Sequence, residues 1–353
     1  MFRVGINGFG RIGRQTFKAI HEGPFSDLFE VVAVNDLAPP ETLATLLKYD
    51  STYGRFDAEI VAKDKAIRVN GRDVVVYAEK QPRRIPWKSQ AVDIVVESTG
   101  LFTDADQAQG HIKAGAKKVV ISAPAKNEDV TIVLGVNDEA YDPAEHTIVS
   151  NASCTTNCLA PVAKVLLDTF GIRRGMMTTV HSFTNDQVVL DGPHKDLRRA
   201  RAASQNIIPT STGAAKAVAL VIPELKGRFD GISLRVPTPT VSIIDFMIET
   251  EKPADVESVN KAFRDASLSD QMQGILGYTE EPLVSSDFRA DSRSAVVDGL
   301  STMTMDGNLV KVLAWYDNEW AYACRIAELV ALLCERGLDA EEAEEPTLAE
   351  ATA

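Results

Sequence analysis

Short continuous runs of valine and isoleucine, separated by segments of helical period, recur through the first 150 residues. No other feature limits the fold as tightly. FRVGIN (2–7) is followed by a helical segment from Arg11, then by VVAVND (31–36) and the helix-like ETLATLLKYD. VVVYAE (74–79), VDIVVES (92–98), KKVVIS (117–122), TIVLGV (131–136) and HTIVSN (146–151) continue the series. Strands that are apolar on both faces belong to a sheet covered on both sides. Helices between them make those strands parallel, wound by right-handed crossovers. The predicted class is α/β, a Rossmann-type doubly wound parallel sheet.

After about residue 153 the texture changes. MMTTVHSFT, ISLRVPTP, VSIIDFMIETE and LVKVLAWYD are longer and alternate, predicting an α+β domain with a mixed or antiparallel sheet. A basic loop, DGPHKDLRRARAASQN (191–206), lies among them. From Glu319 to Arg336, Ile326, Leu329, Val330 and Leu333 fall at helical spacing, with Gly337 as the stop. The last stretch, LDAEEAEEPTLAEATA, is acidic with few large apolar residues and reads as disordered. The expected organisation is a first domain over 1–152 completed by helix 319–338, a second over 153–318, and an acidic tail over 339–353.

A chain of 353 residues, 45% hydrophobic and 25% charged, suits two domains with sizeable cores. Its net charge of -13 argues against nucleic acid as a partner. No apolar run approaches the roughly 20 residues of a membrane span, so no membrane partner is expected. MFRVGINGFG has no basic stretch leading into a long apolar core, so no signal peptide is expected. With four cysteines, the expectation is a reducing compartment, the cytoplasm, rather than a disulfide framework. Cys324 and Cys334 form no second close pair and the five histidines are scattered, so no metal site is expected.

NGFGRIG (7–13) contains Gly8-x-Gly10-x-x-Gly13. Alone the motif is weak; its weight comes from leaving the first strand and opening a helix. Glycines there allow a tight turn and close backbone approach, and the helix N-terminus receives a pyrophosphate. Asp36 closes the second strand, at the right distance to accept ribose hydroxyls and to repel a 2′-phosphate. NAD is therefore expected over NADP.

SNASCTTNCLAP (150–161) places Cys154 and Cys158 four residues apart. With metal and disulfide set aside, each is a packing thiol or a nucleophile. A helix opening with Asn151 or Ser153 as cap puts Cys154 in the first turn, where the dipole favours thiolate. Pro161 permits a second reading, in which it is the first residue of a later helix and Cys154 lies in a loop. Cys158, one turn on, would face inward as packing. His181, near the end of a predicted strand among hydroxyls, is the candidate base; by itself such a histidine is more often structural.

INGFGRIGR, LLKYDS, SNASCTTNCLAP, TTVHSFTNDQ, DLRRARAAS, STGAAKAV, RVPTPTVSIID and WYDNEW stand in one order. Together they resemble phosphorylating glyceraldehyde-3-phosphate dehydrogenase from Phe2 to about Leu338. The resemblance implies that the first domain binds NAD and the second is catalytic. Cys154 would attack the aldehyde to form a hemithioacetal, and His181 would be the general base. Inorganic phosphate would then cleave the resulting thioester. Thr184, Asp186, Arg199 and Arg235 match the family's substrate-phosphate site. Ser153, Thr155, Thr212 and Gly213 match its inorganic-phosphate site, to which Arg199 also reaches. Asn318 would hold the nicotinamide carboxamide with Tyr322 beside the ring. Arg11, Ile12, Thr99, Phe102 and Ser122 fall at positions lining the cofactor, and Leu37 and Pro193 match the NAD-type pattern. A homotetramer is implied as well.

Two other functions share parts of this set. A sister dehydrogenase acting on erythrose 4-phosphate would use the same Cys and His, with water as acyl acceptor; the intact STGAAK segment favours the triose enzyme. An NAD-binding or thiol-sensing protein without turnover would keep the scaffold alone, and the complete catalytic set argues against it.

Overall fold

Residues 1–339 are described by the structure, a computed structural model. The predicted tail lies outside the described residues except for Asp339. Contacts divide the chain into two units. Among the described residues one comprises Met1–Ile132, Asp138–Ala152 and 323–339; the other comprises Val133–Asn137 and Ser153–Tyr322.

The first unit alternates strand and helix. It opens with β1 (Phe2–Asn7), α1 (Arg11–Glu22), β2 (Phe29–Asn35) and α2 (Pro40–Lys48). A ribbon of β3 (Tyr49–Asp50) and β4 (Gly54–Arg55) precedes the meander β5 (Ile60–Lys63), β6 (Ala66–Val69) and β7 (Arg72–Tyr77). Then come β8 (Ile94–Glu97), α3 (Ala105–Lys113), β9 (Lys118–Ile121), β10 (Val130–Thr131) and β11 (Ile148–Ser150). Among the described residues nine strands form one sheet, ordered β10-β11-β9-β8-β1-β2-β7-β6-β5. It is parallel from β10 to β7, and β6 and β5 pair antiparallel at the edge. Val4, Ile6, Val34, Val95, Val120 and Ile121 are wholly buried, as runs apolar on both faces require.

From β1 the chain moves outward through β2 to β7, then returns to the other side of β1 as β8. The loops after β1 and β8 therefore diverge at a topological switch point, the place where open α/β sheets bind ligands.

Two elements differ from expectation. The antiparallel edge strands β5 (IVAK) and β6 (AIRV) have four residues each, one of them charged, too short to stand out as apolar runs. TIVLGV keeps strand form only at Thr131, because Asn137 Oδ1 accepts the Val133 N–H at 2.9 Å and turns the chain out of the sheet.

In the second unit, α4 (Cys154–Phe170) leads to β12 (Ile172–Ser182), β13 (Ile208–Ser211), α5 (Ala214–Val221) and β14 (Phe229–Val236). There follow β15 (Ser242–Thr250), α6 (Val256–Ser267), β16 (Leu276–Thr279), β17 (Ala295–Asp298), β18 (Met303–Met305) and β19 (Leu309–Tyr316). Its mixed sheet is ordered β13-β14-β12-β15-β19-β17-β16, with β18 added to β19. Alternation places Val310, Val312, Ala314 and Tyr316 of β19 in the core beneath α4. The last helix, α7 (Trp320–Arg336), stops at Gly337, whose φ of 87° lies in the left-handed region.

Candidate active site

Cys154 is the first residue of α4. Ser153 caps that helix, its Oγ accepting the Thr156 N–H at 3.0 Å. The helix continues through Pro161, which settles the open choice of start: the thiol sits at the positive end of the dipole. Cys158, one turn on, is wholly buried, with its sulfur 3.9 Å from the Ala314 carbonyl.

His181 lies at the end of β12 and puts Nε2 3.5 Å from Cys154 Sγ. Its other nitrogen, Nδ1, is 2.7 Å from the Ser182 carbonyl, which can only accept, so Nδ1 carries the proton. The Nε2 lone pair is thereby directed at the sulfur. Arg235 donates to Ser182 O and to Thr184 Oγ1, each at 3.2 Å. Burial pushes the Cys154 thiol up, while Arg235 and the bonds from Thr155 draw it down. Burial, reinforced by Arg235, lowers His181 to about 3. The pair therefore rests as neutral thiol and neutral imidazole.

Several residues that sequence reasoning passed over hold this pair. Tyr316 OH bridges Thr155 Oγ1 and Thr179 Oγ1, both at 2.9 Å, joining α4 to β12, and its ring stands edge-on to His181. Ser182 gives its N–H to Ser242 Oγ at 3.1 Å and its hydroxyl proton to Val241 O at 2.7 Å. Val241 has φ of 67°, a conformation that costs a β-branched residue on the order of 1–3 kcal/mol. Ser242 in turn donates to Asn318 Oδ1 at 2.9 Å. A chain of bonds thus runs from His181 through Ser182 and Ser242 to Asn318. No spacing rule could have found it, because it depends on β15 lying antiparallel beside β12.

Of the expected phosphate residues, Arg235 and Thr184 stand beside His181. Arg235 Nε is buried without a hydrogen-bond partner, an orphaned cationic donor that suits an anion. Arg199 pairs with Asp186, bonds Thr210 Oγ1 at 2.9 Å, and reaches the Ser211 carbonyl at 3.4 Å, next to Thr212 and Gly213. Burial raises the Asp186 carboxyl, but the bonds and charges of Arg199 and His194 together draw it down, and the net shift is downward. Thr212 and Gly213 lead into α5, where the Ala214 N–H meets Thr212 Oγ1 at 3.2 Å. Ser153 and Thr155 already have protein partners for their hydroxyls. Tyr322 is buried.

In the first unit the glycine turn has the geometry a dinucleotide needs. Gly8 has φ of 88°, and a Cβ there would lie 2.6 Å from Thr99 N. A Cβ on Gly13 would lie 2.1 Å from Gly8 O, so the helix packs directly on the turn. Gly10 faces open space, and as N-cap of α1 it brings no side chain to the first turn, Arg11 to Gly13. Asp36, just past β2, accepts the Phe9 and Ala38 N–H groups at 2.9 and 3.0 Å. Arg11 pairs with Asp50 at 2.8 Å. Thr99 bonds Glu97, and Ser122 Oγ donates to Glu97 O at 2.9 Å. Ile12 and Phe102 are half-buried. These residues fit NAD. Among the described residues no cluster suited to a metal ion occurs.

Two family models match the chain: glyceraldehyde 3-phosphate dehydrogenase, NAD binding domain, over residues 2–105, and the C-terminal domain of the same enzyme over 153–318. Curated relatives include the glyceraldehyde-3-phosphate dehydrogenase of Geobacillus stearothermophilus, 59% identical over 95% of this chain and 99% of its own. That of Priestia megaterium is 57% identical over the same shares. Glyceraldehyde-3-phosphate dehydrogenase 2 of Streptomyces avermitilis is 56% identical over 94% of this chain and 98% of its own.

Proposed function

The chain belongs to the glyceraldehyde 3-phosphate dehydrogenase family, and from that premise we propose that it oxidises D-glyceraldehyde 3-phosphate with inorganic phosphate to 1,3-bisphosphoglycerate, reducing NAD. The observation that carries the reading is the Cys154 Sγ–His181 Nε2 approach of 3.5 Å with Nδ1 anchored on Ser182 O. Cys154 gives its proton to His181 Nε2 and attacks the aldehyde carbon, and the imidazolium returns the proton to the new alkoxide. His181 then takes the hydroxyl proton of the hemithioacetal as a thioester forms on Cys154. NAD, when bound, supplies the hydride acceptor. Inorganic phosphate displaces the thioester sulfur and releases the acyl phosphate.

Arg235, Thr184, Arg199 and Asp186 form the substrate-phosphate pocket; Ser153, Thr155, Thr212 and Gly213 hold the attacking phosphate. Gly8, Gly10, Arg11, Ile12, Gly13, Asp36, Thr99, Phe102, Ser122, Asn318 and Tyr322 bind the cofactor. Mixing the protein with NAD, glyceraldehyde 3-phosphate and phosphate should raise the absorbance of reduced cofactor; a rate unchanged when phosphate is omitted would sink the reading. NADP in parallel should support little turnover.

The protein works as a homotetramer in the cytoplasm. Support for assembly comes from the outer face of the second sheet, where register aligns Met176, Met247, Lys311 and Met303 across four strands. Met176 and Met303 are 65% and 60% exposed and, with Met247, give this face an apolar area suited to a second copy of the chain. Support for the cytoplasm comes from the four cysteines, which form no disulfide among the described residues.

A further inference from the structure

The last residues of three adjacent parallel strands at the switch point are polar, in register, and buried. Asn35 ends β2, Asn7 ends β1 and Glu97 ends β8, and the ladder pairs Asn7 with both of the others. Asn35 Nδ2 donates to Asn7 Oδ1 at 2.8 Å, and Asn7 Nδ2 donates to Glu97 Oε2 at 2.5 Å. From α3, His111 places Nε2 3.0 Å from the same oxygen. Its Nδ1 faces Trp87 Nε1 at 2.9 Å. Indole nitrogen only donates, so His111 Nδ1 is bare, Nε2 carries the proton, and the imidazole is neutral. The other oxygen, Oε1, accepts the Thr99 N–H at 2.8 Å and the Thr99 hydroxyl at 2.5 Å.

Glu97 is therefore a buried carboxylate held by four neutral donors. Among the described residues no lysine or arginine pairs with it. Because a carboxylate only accepts, it also fixes the direction of every bond in the row: Asn7 must turn its NH2 toward Glu97, and Asn35 its NH2 toward Asn7. The two loops it ties together are those that touch: Gly8 follows Asn7, and its missing Cβ is what lets Thr99 N come close.

We infer that Glu97 is a positioning residue for the cofactor, its buried charge locking the Gly8 turn against the Thr99 loop; this rests on the dinucleotide reading of that edge. Glu97→Gln keeps size and shape but places an NH2 where donors converge, so whichever way the amide turns at least one bond becomes donor against donor. The test is NAD affinity by calorimetry alongside thermal unfolding, with the wild-type protein as the first arm. Absence of NAD binding by the wild type would overturn the dinucleotide reading itself. With the wild type binding, Glu97→Gln should raise the NAD Kd about tenfold to a hundredfold, the scale of hydrogen bonds to a charged group. The kcat at saturating NAD should stay within about twofold of wild type, since the reacting groups are elsewhere. A lowered Tm with unchanged Kd would reduce Glu97 to a structural residue and refute the inference. Thr99→Val guards against a Glu97→Gln chain that does not fold: it deletes one donor and should raise Kd by a smaller factor. Where both fold, the double variant should be less than additive, and strict additivity would also refute it.

Discussion

His181 Nε2 lies 3.5 Å from Cys154 Sγ, while its Nδ1 is anchored 2.7 Å from the Ser182 carbonyl. The proposed nucleophile comes from a helix N-terminus and the proposed base from a strand end, and each is held by backbone geometry. Cys154→Ser should abolish turnover. His181→Asn should lower kcat by about 10²- to 10⁴-fold, the usual contribution of a general base. Cys158→Ser should keep most activity, because its sulfur is a buried neighbour. Steady-state assays of the three variants check this, and a Cys158→Ser enzyme as dead as Cys154→Ser would contradict it.

Arg235 lowers the thiol pKa against the larger upward push of burial. Removing the cation leaves burial less opposed, so the thiolate becomes harder to form. In Arg235→Gln the pH profile of Cys154 alkylation by iodoacetamide should move to higher pH. The opposite shift would show that the guanidinium does not act on the sulfur. The substrate KM should rise as well, since the orphaned Nε donor is lost.

Ser242 joins Ser182 to Asn318. Ser242→Ala strands a buried N–H and frees the Asn318 amide, which should cost about 1–3 kcal/mol of stability. Both the Tm and kcat should fall. A variant with wild-type kcat would mean that Asn318 keeps its place without the serine.

Met176 and Met247 face each other across β12 and β15 on the exposed sheet face. A charge there must be desolvated if the face is an interface. Met176→Glu should lower the mass measured by light scattering while the circular dichroism spectrum stays unchanged. An unaltered mass would place the assembly surface elsewhere.

Much of this molecule was legible in its sequence because the informative patterns are local. Apolar runs announce buried parallel strands, Gly8 and Gly13 announce a turn that backbone must crowd, and Cys154 opens an ordinary helical stretch. Edge strands β5 and β6 escaped, since each has only four residues, one of them charged, and no helix sets one off from the other. The run TIVLGV promises a longer strand than forms, because Asn137 supplies the bond that breaks it off after Thr131.

What the sequence by itself determined was the class of each unit, the order of the strands' apolar runs and the kind of chemistry that a cysteine and histidine in these surroundings support. Tertiary structure decided which atoms meet. Pro161 left the start of α4 open until packing carried the helix through it. The tautomer of His181 was undetermined until the Ser182 carbonyl took its Nδ1–H. Glu97 reads as one more residue at the end of an apolar strand, and only the ladder and the packing of α3 bring Asn7 and His111 to its carboxylate. Hydrogen-bond partners 14 to 90 residues apart in the chain leave no periodic trace, because register and crossover, not spacing, set their contact.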